Sequence, residues 1–364
     1  MRQPLCHYFG TCAGCDTQHL EYELQLKNKI KSLSSFTDFA EDKIEAFYGR
    51  DYNYRNRMDF IFHSEMLGLR SKGNKIIDID ACPISNEKLN GLLLETRLFF
   101  NKIKSSGLKP NIFLYAVIRT PSADSSITFV VNDNSADKAK AVSLVKDFSK
   151  KTNAENVLVG YAANNESLTS NFIAVKGNEF LKEKFLGKLF FYHSQGFFQN
   201  NSFVAEKMIG YVKSKLKSKK GHLLDLYGGV GVFGLSAHEF FEKVTMVESS
   251  SLSVKCAEKN IGFNKIKNAE AICTDAKNIS KLKFSGPLHV ITDPPRTGME
   301  NIALQKLIDL NPETIIYISC NPLKFRKEFI KFRRNGYKIN SVALFDMFPQ
   351  TNHIEAAIEM VKKN

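Results

Sequence analysis

The second half of the chain alternates strand patterns with helix patterns, and this alternation constrains the fold more than any other feature. The strand patterns cover residues 222–227, 243–248, 269–274, 287–292, 314–319, 338–346 and 353–362, and the helix patterns cover 231–241, 250–262, 300–309 and 322–335. Strands that alternate with helices form a parallel sheet with helices on both faces. We therefore predict an α/β fold with a doubly wound, Rossmann-like sheet, in which ligands bind beyond the carboxyl ends of the strands.

The first half has a different pattern, with short strands, polar turns and no internal repeat. Its helix patterns cover about 18–35, 85–105 and 135–151, and its strand patterns cover Tyr54–Phe62, Ile76–Ile79, Leu114–Thr120, Ile127–Asn132 and Val157–Ala162. This mixture predicts an α+β domain. The chain of 364 residues is long enough for about two domains of roughly 150 residues each. We predict a cysteine-bearing segment with its helix over 1–35, a central domain over 36–190 and the alternating domain over 191–364.

A glycine loop follows the first strand of the alternating half. Gly229, Gly231 and Gly234 match the pattern G-x-G-x-x-G between a strand and a helix, where a missing Cβ lets the backbone approach a ligand. Glu248 ends the next strand, where a carboxylate can accept both ribose hydroxyls of an adenosyl group. Asp275 ends the third strand, within reach of an adenine amino group. The glycine loop and the acidic residues at the strand ends together predict a nucleoside cofactor. They do not distinguish NAD from S-adenosylmethionine, and the structural alternative is a tight turn without a ligand.

Two further motifs follow the fourth and fifth of these strands. Asp293–Arg296 reads Asp-Pro-Pro-Arg, and its two prolines fix a rigid turn that presents the Asp293 carboxylate to the cleft. Cys320 follows the buried strand pattern 314–319, next to the start of a helix. Because a helix N-terminus lowers the pKa of a thiol, Cys320 is a candidate nucleophile, and a packing role is the alternative. We expect both side chains to face one cleft.

The motifs together resemble those of the RNA uracil-5-methyltransferases, which use S-adenosylmethionine to make 5-methyluridine in tRNA or rRNA. The matching stretches are Phe197–Asn201, Asp225–Gly231, Asp293–Gly298, Ser319–Pro322, Asp346–Pro349 and His353–Glu355. Their order and spacing cover nearly the whole alternating half. The resemblance implies an enzyme dependent on S-adenosylmethionine, with a methyltransferase sheet and an RNA-binding central domain.

The resemblance also implies roles for individual residues. Cys320 matches the nucleophile that adds to C6 of uracil, and Glu355 matches the base that removes the C5 proton after methyl transfer. Asp293 matches the residue that hydrogen-bonds the uracil edge beside the methyl donor. The positions that match contacts to S-adenosylmethionine are Gln199, Tyr227, Gly229, Glu248, Asp275 and Asp293. The target base must leave its stack to reach such a cleft.

The seven cysteines are an odd number, which does not suggest a disulfide framework in a reducing compartment. Three have the spacing C-x5-C-x2-C and a fourth precedes a proline; these are Cys6, Cys12, Cys15 and Cys82. Four thiolates can hold a [4Fe–4S] cluster or a structural zinc ion, and spacing does not separate the two. A subset of the resembled family carries a [4Fe–4S] cluster with this layout, which implies a structural cluster here. We assign Cys256 and Cys273 to packing.

The formal net charge of +13 predicts an anionic partner, and RNA is the expected one. Most of the excess lies in the second half, in two clusters: Lys213, Lys215, Lys217, Lys219 and Lys220, and Lys324, Arg326, Lys327, Lys331, Arg333, Arg334 and Lys338. Each cluster is either a phosphate-facing patch or the solvated face of a helix. Arg55 and Arg57, beside Tyr54, are further candidate RNA contacts. Because Cys6 comes almost at once, we expect no additional N-terminal RNA-binding barrel.

No stretch reaches the roughly 18 apolar residues that a membrane span needs, and the first residues lack the apolar core of a signal peptide. We therefore predict a cytoplasmic monomer with no membrane partner. The resemblance favours 23S rRNA as the target, because barrel-free relatives with cluster cysteines resemble the rRNA enzymes, and the T-loop of tRNA is the alternative. Two other hypotheses are methylation of an exocyclic amine, which needs no cysteine, and a non-catalytic RNA-binding module.

Overall fold

The computed structural model describes residues 2–105, 110–217 and 219–363. In these ranges the α-helices are α1 (Tyr22–Thr37), α2 (Glu87–Ser105), α3 (Lys138–Ser149), α4 (Ser202–Leu216), α5 (Val232–Ala237), α6 (Ser251–Phe263), α7 (Asn301–Asp309) and α8 (Pro322–Arg334). The strands are β1 (Glu45–Phe47), β2 (Arg57–His63), β3 (Met66–Arg70), β4 (Ile76–Asp78), β5 (Phe113–Arg119), β6 (Ser126–Asn132), β7 (Asn156–Ala162), β8 (Phe172–Lys176), β9 (Phe180–Phe185), β10 (Lys188–His193), β11 (His222–Leu226), β12 (Lys243–Glu248), β13 (Ala269–Cys273), β14 (Leu288–Thr292), β15 (Thr314–Ser319), β16 (Tyr337–Phe345) and β17 (Glu355–Lys362). None of the described helices is long and apolar enough to cross a membrane.

The larger sheet has eight strands in the order β1-β16-β17-β15-β14-β11-β12-β13. The five strands from β15 to β13 run parallel, and β17 is antiparallel between β15 and β16. Apolar side chains of α4, α5 and α6 form the core on one face of this sheet, and those of α1, α7 and α8 form the core on the other. Alternate residues of each strand enter the two cores, as a sheet buried on both faces requires. The prediction of a doubly wound sheet is confirmed.

The first half contains a seven-stranded sheet in the order β4-β3-β2-β5-β6-β7-β8. Neighbouring strands are antiparallel except β6 and β7, which run parallel and are joined by α3. Helices α2 and α3 cover one face of this sheet over a core rich in phenylalanine, including Phe62, Phe99, Phe100, Phe113 and Phe129. The other face carries the polar side chains that line a cavity described below.

The predicted division at residues 35 and 190 stays a prediction, and several contacts cross these positions. Strand β1 pairs in parallel with β16 at the edge of the larger sheet, and α1 packs against α8. Strand β10 spans residue 190, and the hairpin of β9 and β10 packs Leu181, Phe185 and Phe190 into a core of the larger sheet. The central sheet is therefore flanked on both sides in sequence by segments that belong structurally to the larger sheet.

The sequence patterns place most of the described helices and strands, but they do not predict β1, β3, β8, the hairpin of β9 and β10, or α4. Strand β9 alternates buried Leu181, Glu183 and Phe185 with two exposed lysines, a period of two that its charged residues conceal. The start of α4 is marked by Asn201, whose side chain accepts a hydrogen bond from the Val204 backbone N–H at 3.2 Å. Such an N-cap is a sequence signal that could have located this helix.

A buried ion pair fixes α1 to the loop between β16 and β17. Lys29 Nζ lies 2.6 Å from Asp346 Oδ1, and both side chains are almost completely buried. The Tyr22 hydroxyl donates to Asp346 Oδ2 at 2.8 Å, and Lys29 also donates to the Phe348 carbonyl at 3.0 Å. Removing either charge would leave the other uncompensated in the interior, at a cost of about 3–5 kcal/mol. The loop that leads to Glu355 is therefore held by a residue of the first half.

Candidate active site

A buried carboxylate, Asp225, shapes the glycine loop. The Gly234 backbone N–H donates to Asp225 Oδ2 at 2.8 Å, and a Cβ on Gly234 would lie 2.8 Å from the same oxygen. Gly231 has a φ of +88° and packs against Met246, so a side chain at either glycine would force the loop to shift. Asp225 Oδ1 is buried without a hydrogen-bond partner among the described residues. Burial, with the nearby Glu248 carboxylate, raises the pKa of Asp225 to about 7.

Glu248 and Asp275, the two strand-end carboxylates that are predicted to contact the cofactor, lie beside this loop. Glu248 ends β12 and accepts hydrogen bonds from the backbone N–H groups of Gly229, at 3.2 Å, and Ser250, at 2.7 Å. Asp275 follows β13 and caps the next turn, where it accepts from the Lys277 backbone N–H at 2.9 Å and pairs with the Lys277 ammonium at 3.2 Å. Both carboxylates therefore have fixed positions at the carboxyl edge of the sheet.

Tyr227 and Gln199 complete the predicted cofactor contacts. Tyr227 has a φ of +61°, and burial together with the Asp275 carboxylate raises the pKa of its hydroxyl. Gln199 lies in the loop before α4, and this loop is held by Asn56 of the first half. Asn56 Nδ2 donates to the Gln199 carbonyl at 3.2 Å and to Ser202 Oγ at 2.9 Å. The sequence does not reveal this role, because Asn56 and Gln199 are 143 positions apart.

The stretch around Asn56 is less available to RNA than the sequence suggests. Tyr54 is buried, and its hydroxyl donates to the Pro349 carbonyl at 3.0 Å. The Arg57 guanidinium makes two hydrogen bonds of 2.8 Å to the Asp59 carboxylate. Tyr54 therefore packs inside and the Arg57 guanidinium is paired, whereas RNA contact by Arg55 and Arg57 stays a prediction.

Cys320, Asp293 and Glu355 meet at the carboxyl edge of the larger sheet. Strands β15 and β17 are antiparallel, with Ser319 opposite Ala356, so Cys320 and Glu355 are neighbours at the end of this pair. Asp293 follows β14, which borders β15 on its other side. The glutamate is only 8% exposed. The register therefore brings a thiol and two carboxyl groups together from three adjacent strands.

These three groups alter one another's protonation. Burial, followed by the carboxylates of Glu355 and Asp293, raises the pKa of the Cys320 thiol to about 11, although Arg296 acts in the opposite direction. Burial and the Asp293 carboxylate raise the pKa of Glu355 well above its ordinary value, and burial and Asp225 raise that of Asp293. The prediction of a lowered thiol pKa is wrong, because burial and two carboxylates outweigh the N-terminus of α8. The thiol is protonated near neutral pH.

A buried glutamate that the sequence analysis does not single out holds the Asp-Pro-Pro-Arg loop. Glu328 of α8 accepts hydrogen bonds from the Met299 backbone N–H at 2.9 Å and from the Tyr317 hydroxyl at 2.7 Å. Gly298, with a φ of +80°, packs against this carboxylate and leaves no room for a Cβ. The only sequence signal is that Glu328 is the single acidic residue of a strongly basic helix.

The four cysteines predicted to bind a metal line one cavity of about 470 Å³; they are Cys6, Cys12, Cys15 and Cys82. Burial raises the pKa of Cys6 and Cys12, and raises that of Cys15 to about 12. In the described part of the chain, no group of three or more His, Cys, Asp or Glu side chains is arranged to hold a single metal ion. Of the two cysteines assigned to packing, Cys256 is buried and Cys273 is exposed, so the packing role predicted for Cys273 is wrong.

The strand order identifies the class of protein. Numbered from β11, the seven strands of the alternating half run 3-2-1-4-5-7-6, with the seventh antiparallel. The dinucleotide-binding order 3-2-1-4-5-6 lacks this inserted antiparallel strand. Together with the glycine loop and the acidic end of β12, the order is that of a doubly wound α/β protein whose carboxyl edge suits a nucleoside ligand.

Comparison with known proteins specifies the family. The model of the tRNA (uracil-5-)-methyltransferase family matches residues 21–363, and the chain belongs to this family. It is therefore an S-adenosylmethionine-dependent RNA uracil-5-methyltransferase, and the resemblance inferred from its motifs is confirmed.

Two relatives from Pyrococcus horikoshii have different named targets. The tRNA (uracil(54)-C(5))-methyltransferase is 29% identical over 369 residues, which cover 98% of this chain and 85% of the relative. The 23S rRNA (uracil(747)-C(5))-methyltransferase is 29% identical over 368 residues, with the same coverage of 98% and 85%. The crystal structure of Pyrococcus abyssi tRNA (uracil-54, C5)-methyltransferase in complex with S-adenosyl-L-homocysteine has a TM-score of 0.79 and 25% identity, and the match covers 96% of this chain and 86% of that one.

The raised thiol pKa predicts how Cys320 reacts with iodoacetamide. Because the thiolate is the reacting form and the pKa is about 11, we expect the alkylation rate to rise about tenfold per pH unit from pH 7 to 9 without a plateau. The variant Glu355→Gln removes a carboxylate that raises this pKa, so the rate at pH 8 should increase. Mass spectrometry of the Cys320 peptide measures both rates.

Two controls accompany this measurement. The exposed Cys273 reports reagent activity in the same sample, and Glu359→Gln removes a carboxylate further along β17 that bonds Asn340 and Ser341. A plateau below pH 9, or equal rates in Glu355→Gln and Glu359→Gln, would show that the carboxylates do not control the thiol.

Proposed function

We propose that this enzyme methylates C5 of a uridine in structured RNA through a covalent bond between Cys320 and C6 of the base. The observation that carries the proposal is the convergence of Cys320, Asp293 and Glu355 at one edge of the sheet. C5 of uracil is a poor nucleophile, and addition of a thiolate to C6 converts the ring into an enolate that is nucleophilic at C5. C5 then takes the methyl group from the sulfonium, and S-adenosylhomocysteine is released.

The raised pKa of Cys320 requires that the thiol lose its proton when the substrates bind. A positive charge near a thiol lowers its pKa, and the methyl donor carries a sulfonium charge. Arg296 already acts in this direction. We infer that the nucleophile is formed only in the assembled complex, which protects the resting thiol from reaction with other electrophiles.

Glu355 completes the reaction. After methyl transfer, C5 carries both the methyl group and its original proton, and C6 carries the Cys320 sulfur. Glu355 removes the C5 proton, the electron pair re-forms the C5–C6 double bond, and the sulfur leaves as a thiolate. Burial raises the pKa of Glu355, which makes its carboxylate a stronger base than an ordinary glutamate. Asp293, whose pKa is also raised, hydrogen-bonds the uracil edge and orients the base beside the methyl donor.

The residues at the strand ends suit the methyl donor. We propose that Gln199, Tyr227, Gly229, Glu248, Asp275 and Asp293 contact it, with Glu248 accepting from the ribose hydroxyls. The buried Asp225 carboxylate holds the glycine loop beside these residues through the Gly234 backbone N–H. A Cβ does not fit at Gly231 or Gly234, so these glycines keep the loop in this shape.

The covalent mechanism predicts opposite results for two substitutions. Cys320→Ala removes the nucleophile, so methylation should fall below detection and no adduct should form. Glu355→Gln retains the nucleophile and removes the base, so a protein–RNA adduct that survives denaturing electrophoresis should accumulate. The matched controls are Cys273→Ala and Glu359→Gln, which should methylate at the rate of the unmodified enzyme. Turnover by Cys320→Ala would contradict the mechanism.

A second candidate is methylation of an exocyclic amine, which the Asp-Pro-Pro-Arg loop would also serve. That reaction uses no thiol, so it leaves the position of Cys320 beside Glu355 without a function. The nucleoside product distinguishes the two reactions, because 5-methyluridine carries the methyl group on carbon and an amine product carries it on nitrogen.

We propose 23S rRNA as the target and the T-loop of tRNA as the alternative. The four-cysteine layout supports the rRNA target. Sequence identity does not separate the two targets, because the relatives named for tRNA and for 23S rRNA are each 29% identical to this chain. In a strain lacking the gene, we expect one 5-methyluridine to be lost from 23S rRNA while that of tRNA remains. Mass-spectrometric mapping of both RNAs measures this, and loss from tRNA alone would assign the enzyme to tRNA.

We propose that Cys6, Cys12, Cys15 and Cys82 hold a [4Fe–4S] cluster. The thiolates around one zinc ion all lie about 2.3 Å from a single metal atom, whereas a cluster binds each thiolate to a separate iron. The four side chains line a cavity and do not converge on one point, which suits the cluster better. We also propose that the central domain over 36–190 contacts RNA, with Arg55 as a candidate residue.

The cluster predicts a defined iron content. Protein purified without oxygen should contain iron and acid-labile sulfide in equal amounts and show visible absorption from iron–sulfur charge transfer. Cys82→Ser should reduce both contents strongly, and Cys273→Ser, a control at an exposed cysteine outside the cavity, should leave them unchanged. Stoichiometric zinc without sulfide would contradict the cluster.

A further inference from the structure

The two basic clusters of the second half have different surroundings. In the cluster at the end of α4, Lys213 Nζ lies 2.9 Å from Glu239 and Lys215 Nζ lies 3.6 Å from Glu45. These two ammonium groups also lie over the rings of Phe240 and Tyr211. Two lysines of this cluster are therefore neutralised by acidic side chains, and the cluster follows a helix that does not start at Cys320.

The cluster on α8 is exposed and unpaired. Arg326, Lys327, Arg333 and Arg334 are exposed, and none of them forms an ion pair within the described part of the chain. The one acidic residue of the helix, Glu328, points inward to Met299 and Tyr317. An exposed helix face with this much uncompensated positive charge attracts an anionic partner.

Helix α1 adds further positively charged side chains beside those of α8. Helix α1 packs against α8, and Arg326 Nη1 donates to the Ser35 carbonyl of α1 at 3.4 Å. Lys27 and Lys31 lie four residues apart on α1, both exposed and without an ion pair among the described residues. We call these six side chains the α1–α8 basic face: Lys27, Lys31, Arg326, Lys327, Arg333 and Arg334.

This face begins at the reaction centre. Helix α8 starts directly after Cys320, where Asn321 caps it by accepting from the Lys324 backbone N–H at 3.3 Å. Lys324, one turn into the helix, lines the small recess beside Cys320. From Lys324 to Arg334 the helix extends about 15 Å along its axis. The basic side chains thus form a track that leads away from the nucleophile.

We propose that the α1–α8 basic face binds the phosphate backbone of the RNA that flanks the target uridine. The proposal rests on the proposed function, because it assumes that the base enters the cleft at Cys320. A flipped base is anchored only by its own nucleotide, and phosphate contacts on the flanking strand fix its register and orientation. Lysine and arginine beside a cleft suit phosphate, which each contact neutralises with release of a counterion.

The test compares two triple variants that remove the same net charge. Lys327→Ala/Arg333→Ala/Arg334→Ala alters the α1–α8 basic face, and Lys217→Ala/Lys219→Ala/Lys220→Ala alters the α4 cluster. The probe is a fluorescent RNA hairpin with uridines in its loop, titrated at several salt concentrations. The first variant should reduce the slope of log Kd against log salt by roughly 2–3 units, about one per lost phosphate contact. The second should keep the slope of the unmodified enzyme.

Activity measurements separate this proposal from the proposed function. With unmodified bulk RNA as substrate, the α8 variant should raise the KM for RNA at least tenfold and leave kcat and the KM for S-adenosylmethionine unchanged. The variant Lys327→Arg/Arg333→Lys/Arg334→Lys retains the charge and should restore the slope. Equal slopes for the two alanine variants would overturn the proposal, even if both still make 5-methyluridine. A fall in kcat without a change in slope would overturn it as well.

Discussion

The carboxyl edge of a parallel sheet forces three acidic side chains into one poorly solvated place, and the chemistry of this enzyme depends on that constraint. Asp225 lies near the end of β11, Asp293 follows β14 and Glu355 begins the antiparallel β17. Each has a raised pKa because burial and like charge disfavour ionisation. The same surroundings hold the Cys320 thiol in its protonated form. A site of this kind is poised to respond to a bound cation, and the sulfonium of the methyl donor is such a cation.

The cleft is held in shape by residues that take no part in the reaction. Glu328 fixes the Asp-Pro-Pro-Arg loop by accepting hydrogen bonds from the Met299 backbone N–H and the Tyr317 hydroxyl. Lys29 fixes the loop before Glu355 through Asp346, and Asn56 fixes the loop of Gln199. Two of these three anchors come from the first half of the chain. The catalytic sheet and the N-terminal region therefore act as one structure, although their sequence patterns differ.

Much of this arrangement follows from local patterns. The strand and helix alternation gives the doubly wound sheet, and the positions of Glu248, Asp293 and Cys320 at strand ends give the cleft, because parallel strands end at a common edge. The patterns do not predict the hairpin of β9 and β10, whose charged residues conceal a period of two, or α4. They also do not reveal that Tyr54 is buried and that Arg57 pairs with Asp59.

The sequence by itself determined the class of sheet, the family and the identity of the candidate reacting groups, since these depend on periodicity and on residue types at fixed spacing. Only the tertiary structure decided their protonation, because a pKa depends on burial and on charges brought from distant strands. It also decided which basic cluster is paired with acidic side chains. Both clusters look alike in the sequence, but Glu239 and Glu45 reach one of them, and α8 carries the other outward from Cys320.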